Sequence, residues 1–223
     1  MVGPVKAQRP YDSSRRRDAA LSRRTKILDA ARDLFLRSGF AGTTVATIAS
    51  QAGVSQETVY KTFGGKTGLV EALFRQGLQG QGDAPAYQRS ESLRGQPDPY
   101  DVVHGWSRLA MEVGPGVSPI HLLVRDAALV DPGLNELLRE MDEDRLARMT
   151  ENAQYLDQAG HLRAGVAVDA AADLMWSVTS PEMFELLVIR RGWPLELWAD
   201  YIYNALTTLL PPRDIDPGSS YLR

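Results

Sequence analysis

The side chains able to do chemistry gather in one short stretch. Among the residues from Thr44 to Lys66 are the hydroxyls of Thr44, Thr58 and Tyr60, the amide of Gln56, the carboxylate of Glu57 and the ammonium groups of Lys61 and Lys66, spaced among small, apolar and other polar residues. Hydroxyls and lysines serve phosphate oxygens, which position a protein on a duplex. A Gln matches the edge of adenine and a Glu accepts from the cytosine amino group, each good pair discriminating by about 1–3 kcal/mol. Thr58, Tyr60, Lys61 and Lys66 therefore suit a polyphosphate backbone, as does Thr44 through its hydroxyl or amide. Gln56 and Glu57, early in the same predicted helix, suit base edges. The plainer readings stay open: Tyr60 as a surface tyrosine, and Glu57 as a helix-N-terminal charge.

Other chemistries find little footing. Gly65-Lys66-Thr67 imitates the end of a nucleotide-binding loop, but that motif needs a glycine where Tyr60 stands and a strand before it. The three histidines (His104, His121, His161) are far apart, and neither His-x-x-x-His nor Gly-x-Ser-x-Gly occurs. Zero cysteines exclude disulfides, thiolate catalysis and cysteine-ligated zinc. We expect no enzyme, no metal and no cofactor.

Two short helices must carry the Thr44–Phe63 stretch. Ala49 is small enough for close crossing, and Gly53 can take the φ > 0 turn that a side chain would oppose. Ser55 follows as an N-cap. Val59 faces back toward Val45, Ile48 and Val54, which leaves the helix from about Gln56 to Phe63 presented outward. That is a helix-turn-helix.

From Arg24 to Phe74 the chain resembles the DNA-binding domain of TetR/AcrR-type transcriptional regulators. The resemblance rests on Ile27-Leu28-Asp29-Ala30-Ala31-Arg32-Asp33-Leu34-Phe35, Gly39-Phe40 and Thr43-Thr44-Val45. It continues through Ile48-Ala49, Ala52-Gly53-Val54-Ser55, Thr58-Val59-Tyr60, Phe63, Lys66 and Leu69-Val70. It implies that the residues matching Thr44, Thr58, Tyr60 and Lys66 contact phosphates. Gly160-His161-Leu162-Arg163, Ala171-Ala172-Asp173-Leu174 and Ser180-Pro181-Glu182 are similar, less specifically, to effector domains of that family, whose last two helices pair in a homodimer.

The whole chain agrees with a protein that meets nucleic acid at one end. Its 223 residues carry a net charge of −3. Residues 1–80 hold 13 Lys and Arg against 6 Asp and Glu, a net +7, and the remainder 12 against 22, a net −10. Residues 1–21 read as a disordered basic tail, whose Arg15-Arg16-Arg17 reach DNA or only keep it solvated. Residues 22–80 read as the helix-turn-helix domain, with a helix from Ser22 that Gly39 ends. Gly77 to Pro99 is rich in Gly, Pro, Gln and Ser and should hold the boundary. Residues 81–210 read as a helical domain and 211–223 as a flexible tail. Helices are expected over about Tyr100–Val113, Pro119–Val130 and Leu134–Ala159, the first ended by Gly114-Pro115-Gly116. No segment alternates long enough for a strand, so the fold class is all-α. No apolar run reaches the roughly 20 residues of a membrane span, and no signal core opens the chain, so the cytoplasm is expected.

Two further sites belong to the second domain. His104, Trp106, Met111, His121, Arg125, Met175 and Trp176 mix aromatic, thioether and polar groups as a small-molecule pocket does. Phe184, Leu187, Val188, Trp198, Tyr201, Ile202 and Ala205 lie where the chain is apolar on nearly every side, which implies burial against its own core and against a second copy. The resemblance thus implies a ligand-responsive repressor that binds a palindromic double-stranded DNA operator as a homodimer. The alternatives are a helical interaction module without DNA binding and, last, a small-molecule enzyme. A steep loss of DNA binding with salt separates the first reading from these.

Overall fold

The structure, a computed structural model, describes residues 13–213. Of the expected tails, 1–21 and 211–223, residues 1–12 and 214–223 lie outside the described residues. Every regular element among those described is helical: α1 (Ser13–Gly42), α2 (Val45–Ala52), α3 (Gln56–Phe63), α4 (Lys66–Gln79), α5 (Ala86–Leu93), α6 (Pro99–Ala128), α7 (Pro132–Gln158), α8 (Val168–Val178), α9 (Pro181–Phe184) and α10 (Leu195–Thr207). Between α9 and α10 the chain continues as a π-helical stretch, Glu185–Arg190. No helix of the described residues is long and apolar enough to cross a membrane. The chain divides between Leu69 and Val70 into two compact units. That division falls inside α4, ahead of the Gly- and Pro-rich stretch where composition places it.

In the first unit, α1 begins at Ser13 rather than Ser22, so residues 13–21 are helical and not tail. Gly39 breaks the helix as expected, with φ 69° and ψ 173°. The buried Thr43 hydroxyl then donates to the Gly39 carbonyl at 2.8 Å and fastens the turn into α2. Ile27, Ala31 and Phe35 on α1, Ile48 on α2, Val59 on α3 and Leu69 on α4 form a fully buried core. Burying one such aliphatic or aromatic side chain contributes about 1.5–3 kcal/mol, which is why two eight-residue helices hold here when neither would in isolation.

The second unit is built on the long pair α6 and α7, with α8 packed on α7 and α10 on α6. Its core joins Val102, Trp106, Leu156, Met175, Trp198 and Ile202. Two expectations change here. The Gly114-Pro115-Gly116 sequence does not end a helix, because α6 runs through it to Ala128. The small residues serve packing instead. Gly114 lies under the Trp198 ring, and Gly116 meets the backbone of Gly77 on α4 so closely that a Cβ on Gly77 would sit 2.8 Å from the Gly116 carbonyl carbon. The 77–99 stretch, expected as a linker, holds α5, which is tied down by a 2.7 Å Arg89–Glu112 ion pair and by the Trp106 indole N–H donating to the Ser90 carbonyl at 3.2 Å. Residues 211–213, the described part of the expected C-terminal tail, are less free than expected. Arg213 pairs with Asp98 at 2.9 Å and lies over the Tyr100 ring, and the Tyr100 hydroxyl donates to the Pro211 carbonyl at 3.0 Å.

Candidate nucleic-acid interface and effector cavity

The turn between α2 and α3 forms as its residues require. Gly53 caps α2 in the left-handed region, φ 67°, and its amide reaches the Ala49 and Ser50 carbonyls. Ser55 caps α3, its hydroxyl accepting from the Thr58 amide at 3.2 Å. Thr44 and Thr47 form a reciprocal capping box at the start of α2, with amide-to-hydroxyl distances of 3.1 and 3.2 Å. Thr44 is exposed, but its amide and hydroxyl already serve that cap.

One face of α3 is sealed by the fully buried Val59, and the other is open. Gln56, Glu57, Tyr60 and Lys61 are all exposed, Tyr60 by 54% despite its large ring. Thr58 is half-buried, its hydroxyl 2.9 Å from that of Ser55. Glu57 and Lys61 pair across one turn at 2.7 Å. Lys66 is less available than a simple outward cation: its Nζ donates to the Phe40 carbonyl at 2.6 Å and lies over the Phe40 ring. Arg24 covers Phe63 in the same way, 4.6 Å from the ring centroid.

In the second unit α4, α5, α6, α7, α8 and α10 enclose a cavity of about 680 Å³. Of the seven residues expected there, Trp106, His121 and Met175 line it. His104, Met111, Arg125 and Trp176 do not, and each has another place. His104 is exposed and meets Tyr203 edge-on, with ring centroids 5.4 Å apart. Met111 is half-buried outside the cavity wall. Arg125 pairs with Asp126, Glu182 and Glu185. Trp176 lies beneath the Arg145 guanidinium, 4.4 Å away. Composition alone could not tell which face of α6 and α8 these residues occupy.

His121 is buried, and its Nε2 lies 2.9 Å from an Asp142 oxygen. Burial lowers its pKa against the pull of Asp142, so the ring is neutral near pH 7, donating from Nε2 and leaving Nδ1 an acceptor. The residues the sequence reading missed are Arg145, Arg148 and Asn152, all on the cavity wall. The signal was present. Leu134, Leu137, Met141 and Leu156 make an apolar stripe along α7, and these three polar residues occupy the same stripe at helical spacing.

The expected pairing surface needs a correction as well. Phe184, Trp198 and Ile202 are buried in the unit's own core, the first two ring-to-ring at 4.9 Å, so they are not available to a partner. Leu187, Val188, Tyr201 and Ala205 are half-buried. The apolar residues that reach the surface are their neighbours Leu186, Ile189 and Leu197, exposed by 48%, 52% and 44%.

The family model for bacterial regulatory proteins of the tetR family matches residues 27–73, the stretch that forms this helix-turn-helix. The HTH-type transcriptional regulator YvkB of Bacillus subtilis (strain 168), itself uncharacterized, is 44% identical over 153 residues, 69% of this chain and 77% of that protein. The chain belongs to the TetR family. A TetR-family chain is a DNA-binding regulator of transcription. Solved structures share the fold. The SmeT–triclosan complex superposes with a TM-score of 0.69 at 20% identity, covering 91% of this chain and 98% of that one. Native NalD, the secondary repressor of the MexAB-OprM multidrug efflux pump in Pseudomonas aeruginosa, gives 0.65 at 22%, covering 87% and 99%.

Proposed function

We propose that this TetR-family protein is a cytoplasmic, ligand-responsive repressor that binds a palindromic operator as a homodimer. The observation that carries the reading is the pairing, in one chain, of an exposed recognition-helix face with a cavity of about 680 Å³, within the roughly 300–1,000 Å³ of drug-sized sites. On DNA, Tyr60, Lys61 and Thr58 hold phosphates while Gln56 and Glu57 read base edges. Thr44 and Lys66 support the same face, each already bonded within the protein. A single eight-residue helix reads too little sequence for tight binding, and a second copy doubles it, with half-sites one or more helical turns apart. The pairing surface is centred on Leu186, Ile189 and Leu197, flanked by Leu187, Val188, Tyr201 and Ala205.

The cavity is lined by Phe74, Arg75, Leu78 and Gln79 of α4, the helix whose first turn carries Lys66. A ligand that favours one placement of α4 therefore couples to DNA binding, an ordinary linkage between two sites. The SmeT–triclosan complex and the repressor NalD support the reading by analogy of fold. Genomic fragments selected on the purified protein supply the test. The expected result is one inverted-repeat motif, bound by two chains and released by a small molecule. Fragments sharing no motif, or binding insensitive to salt between 50 and 200 mM, about the range over which phosphate contacts lose most of their strength, would overturn it.

A further inference from the structure

The wall of the cavity is mostly apolar, with Phe74, Leu109, Val113 and Met175 among its residues. Against that wall α7 presents two guanidinium groups one turn apart, Arg145 and Arg148. Neither is fully satisfied. The Nε of Arg145 and the Nε and Nη2 of Arg148 are buried with no hydrogen-bond partner. Arg148 is only 12% exposed, and its Nη1 lies 2.8 Å from Glu151, close enough to pair but not aligned as a hydrogen bond. Glu151 is itself shared with Arg94 at 3.6 Å. Arg145 donates to the Trp176 carbonyl and stacks on its ring, neutral contacts that leave its charge opposed only through space by Asp142 and Glu182.

Carboxylates stand nearby as well. Asp142, bonded to the neutral His121, keeps its charge, Glu182 is shared with Arg125 at 3.5 Å, and Asp144 and Glu151 are themselves on the lining, but none of them fills the open guanidinium donors. Arg75 adds a further cation to the lining, while the neutral His121 adds none. Burial pulls the Arg145 pKa down to about 10 and lowers that of Arg148, yet both stay charged at neutral pH. Arg148 also lies over the Tyr87 ring, 3.0 Å from its centroid, yet buried guanidinium donors left without an acceptor are costly, and an apolar side chain in either place would continue the α7 stripe without that cost.

We propose that the cavity takes an apolar carboxylate, its head held between Arg145 and Arg148 and its hydrocarbon body against Phe74, Leu109, Val113 and Met175. A guanidinium presents its N–H donors in a fork that matches two carboxylate oxygens, which a neutral head group does not offer. The inference rests on the ligand-responsive reading and names the class of ligand for it.

Trp106 and Trp198 line the cavity, so binding is read from tryptophan fluorescence of the full-length protein. Three ten-carbon probes differ only in the head: decanoate, decanol and decyltrimethylammonium. Decanoate should bind about tenfold to a hundredfold more tightly than decanol, the range expected for charge-assisted hydrogen bonds, and the cation should be weakest. Arg148→Gln and, separately, Arg145→Gln should each lower decanoate affinity by about tenfold and leave decanol unchanged, with thermal melts confirming that the variants fold. Equal affinities for decanoate and decanol, decanoate binding that survives both substitutions, or no binding by any probe would overturn the carboxylate site. The same titration on protein bound to a selected genomic fragment separates the two claims. Decanoate that binds without releasing DNA counts against ligand response alone and leaves the carboxylate site standing. Release by decanol as readily as by decanoate counts against the carboxylate site alone.

Discussion

Lys66 donates from Nζ to the backbone carbonyl of Phe40 at 2.6 Å and lies 4.0 Å from the centroid of the same residue's ring. The cation at the start of α4 thus clamps the turn that leads into α2. One ammonium proton is committed to the carbonyl. Lys66→Met should lower unfolding free energy by about 1–2 kcal/mol, the sum of a charge-assisted bond and a cation–π contact discounted for partial exposure. It should also lower by about one the slope of log affinity against log salt. Urea melts and gel shifts at several salt concentrations give the two numbers. Lost stability with an unchanged slope would assign Lys66 to packing alone.

The exposed face of α3 makes separable demands. On the proposed reading the Tyr60 hydroxyl serves any phosphate, so Tyr60→Phe should weaken binding on all sequences alike. Gln56→Ala should relax preference at one base pair by about 1–3 kcal/mol. Glu57→Gln releases Lys61 from its 2.7 Å pair, which as an exposed i,i+4 bridge holds only about 0.3–0.5 kcal/mol of helix stability. Its effect should appear as tighter binding to random DNA, with the melting temperature almost unchanged. Titrations of selected and random duplexes check all three, and parent-like behaviour throughout would remove α3 from the interface.

Gly77 and Gly116 set helix propensity against packing. Alanine in a helix interior normally gains about 1 kcal/mol over glycine. A Cβ on Gly77 would press on the Gly116 backbone at 2.8 Å, where no flexible side chain can move aside. Gly77→Ala should therefore destabilise by about 1–3 kcal/mol, the usual cost of overpacking. A higher melting temperature would mean that α4 and α6 separate easily.

Acid sensitivity should centre on Glu112. Its hydrogen bond to Arg89 holds the carboxyl below its usual 4.5 against the opposing effect of burial, and it also accepts from the Gln81 amide at 2.6 Å. A pKa depressed in the folded state contributes stability above the unfolded value, lost as pH falls through the folded one. Stability should thus hold at pH 6 and decline below about pH 4.5, and Glu112→Gln should flatten that part of the curve at the cost of lower stability at neutral pH. Melting curves from pH 7 to pH 3 in parent and variant are the check.

The helix-turn-helix was open to sequence reading because each of its residues answers a local demand. Gly53 is needed for a left-handed turn, Ser55 for a cap and Val59 for the one buried face, and all three stand where expected. The second unit was harder because its decisive contacts are non-local. Whether Gly114-Pro115-Gly116 stops a helix depends on Trp198, more than eighty residues away, whose ring fills the space over Gly114. Cavity residues followed the same rule. Trp106, His121 and Met175 could be named from composition, but His104 and Trp176 are chemically as suitable and face elsewhere. Arg145 and Arg148 share α7 with many exposed charges, and only their places within the stripe of Leu137 and Met141 distinguish them.

The same distinction separates Ile189 from Trp198. Both are large apolar residues near the end of the chain, yet Ile189 is 52% exposed and Trp198 only 1%. Composition cannot divide them, because an all-round apolar segment does not say which of its sides meets the chain's own core. Ile189→Glu places a charge on the proposed pairing surface without entering the core. It should yield a folded chain of unchanged melting cooperativity, halved in mass by light scattering and greatly weakened on a two-half-site fragment. Trp198→Ala empties a packed position beside Phe184 and should cost about 3–5 kcal/mol, so its loss of DNA binding comes through unfolding. If Ile189→Glu leaves the mass and operator affinity of the parent, the surface formed by Leu186, Ile189 and Leu197 is not where two copies meet.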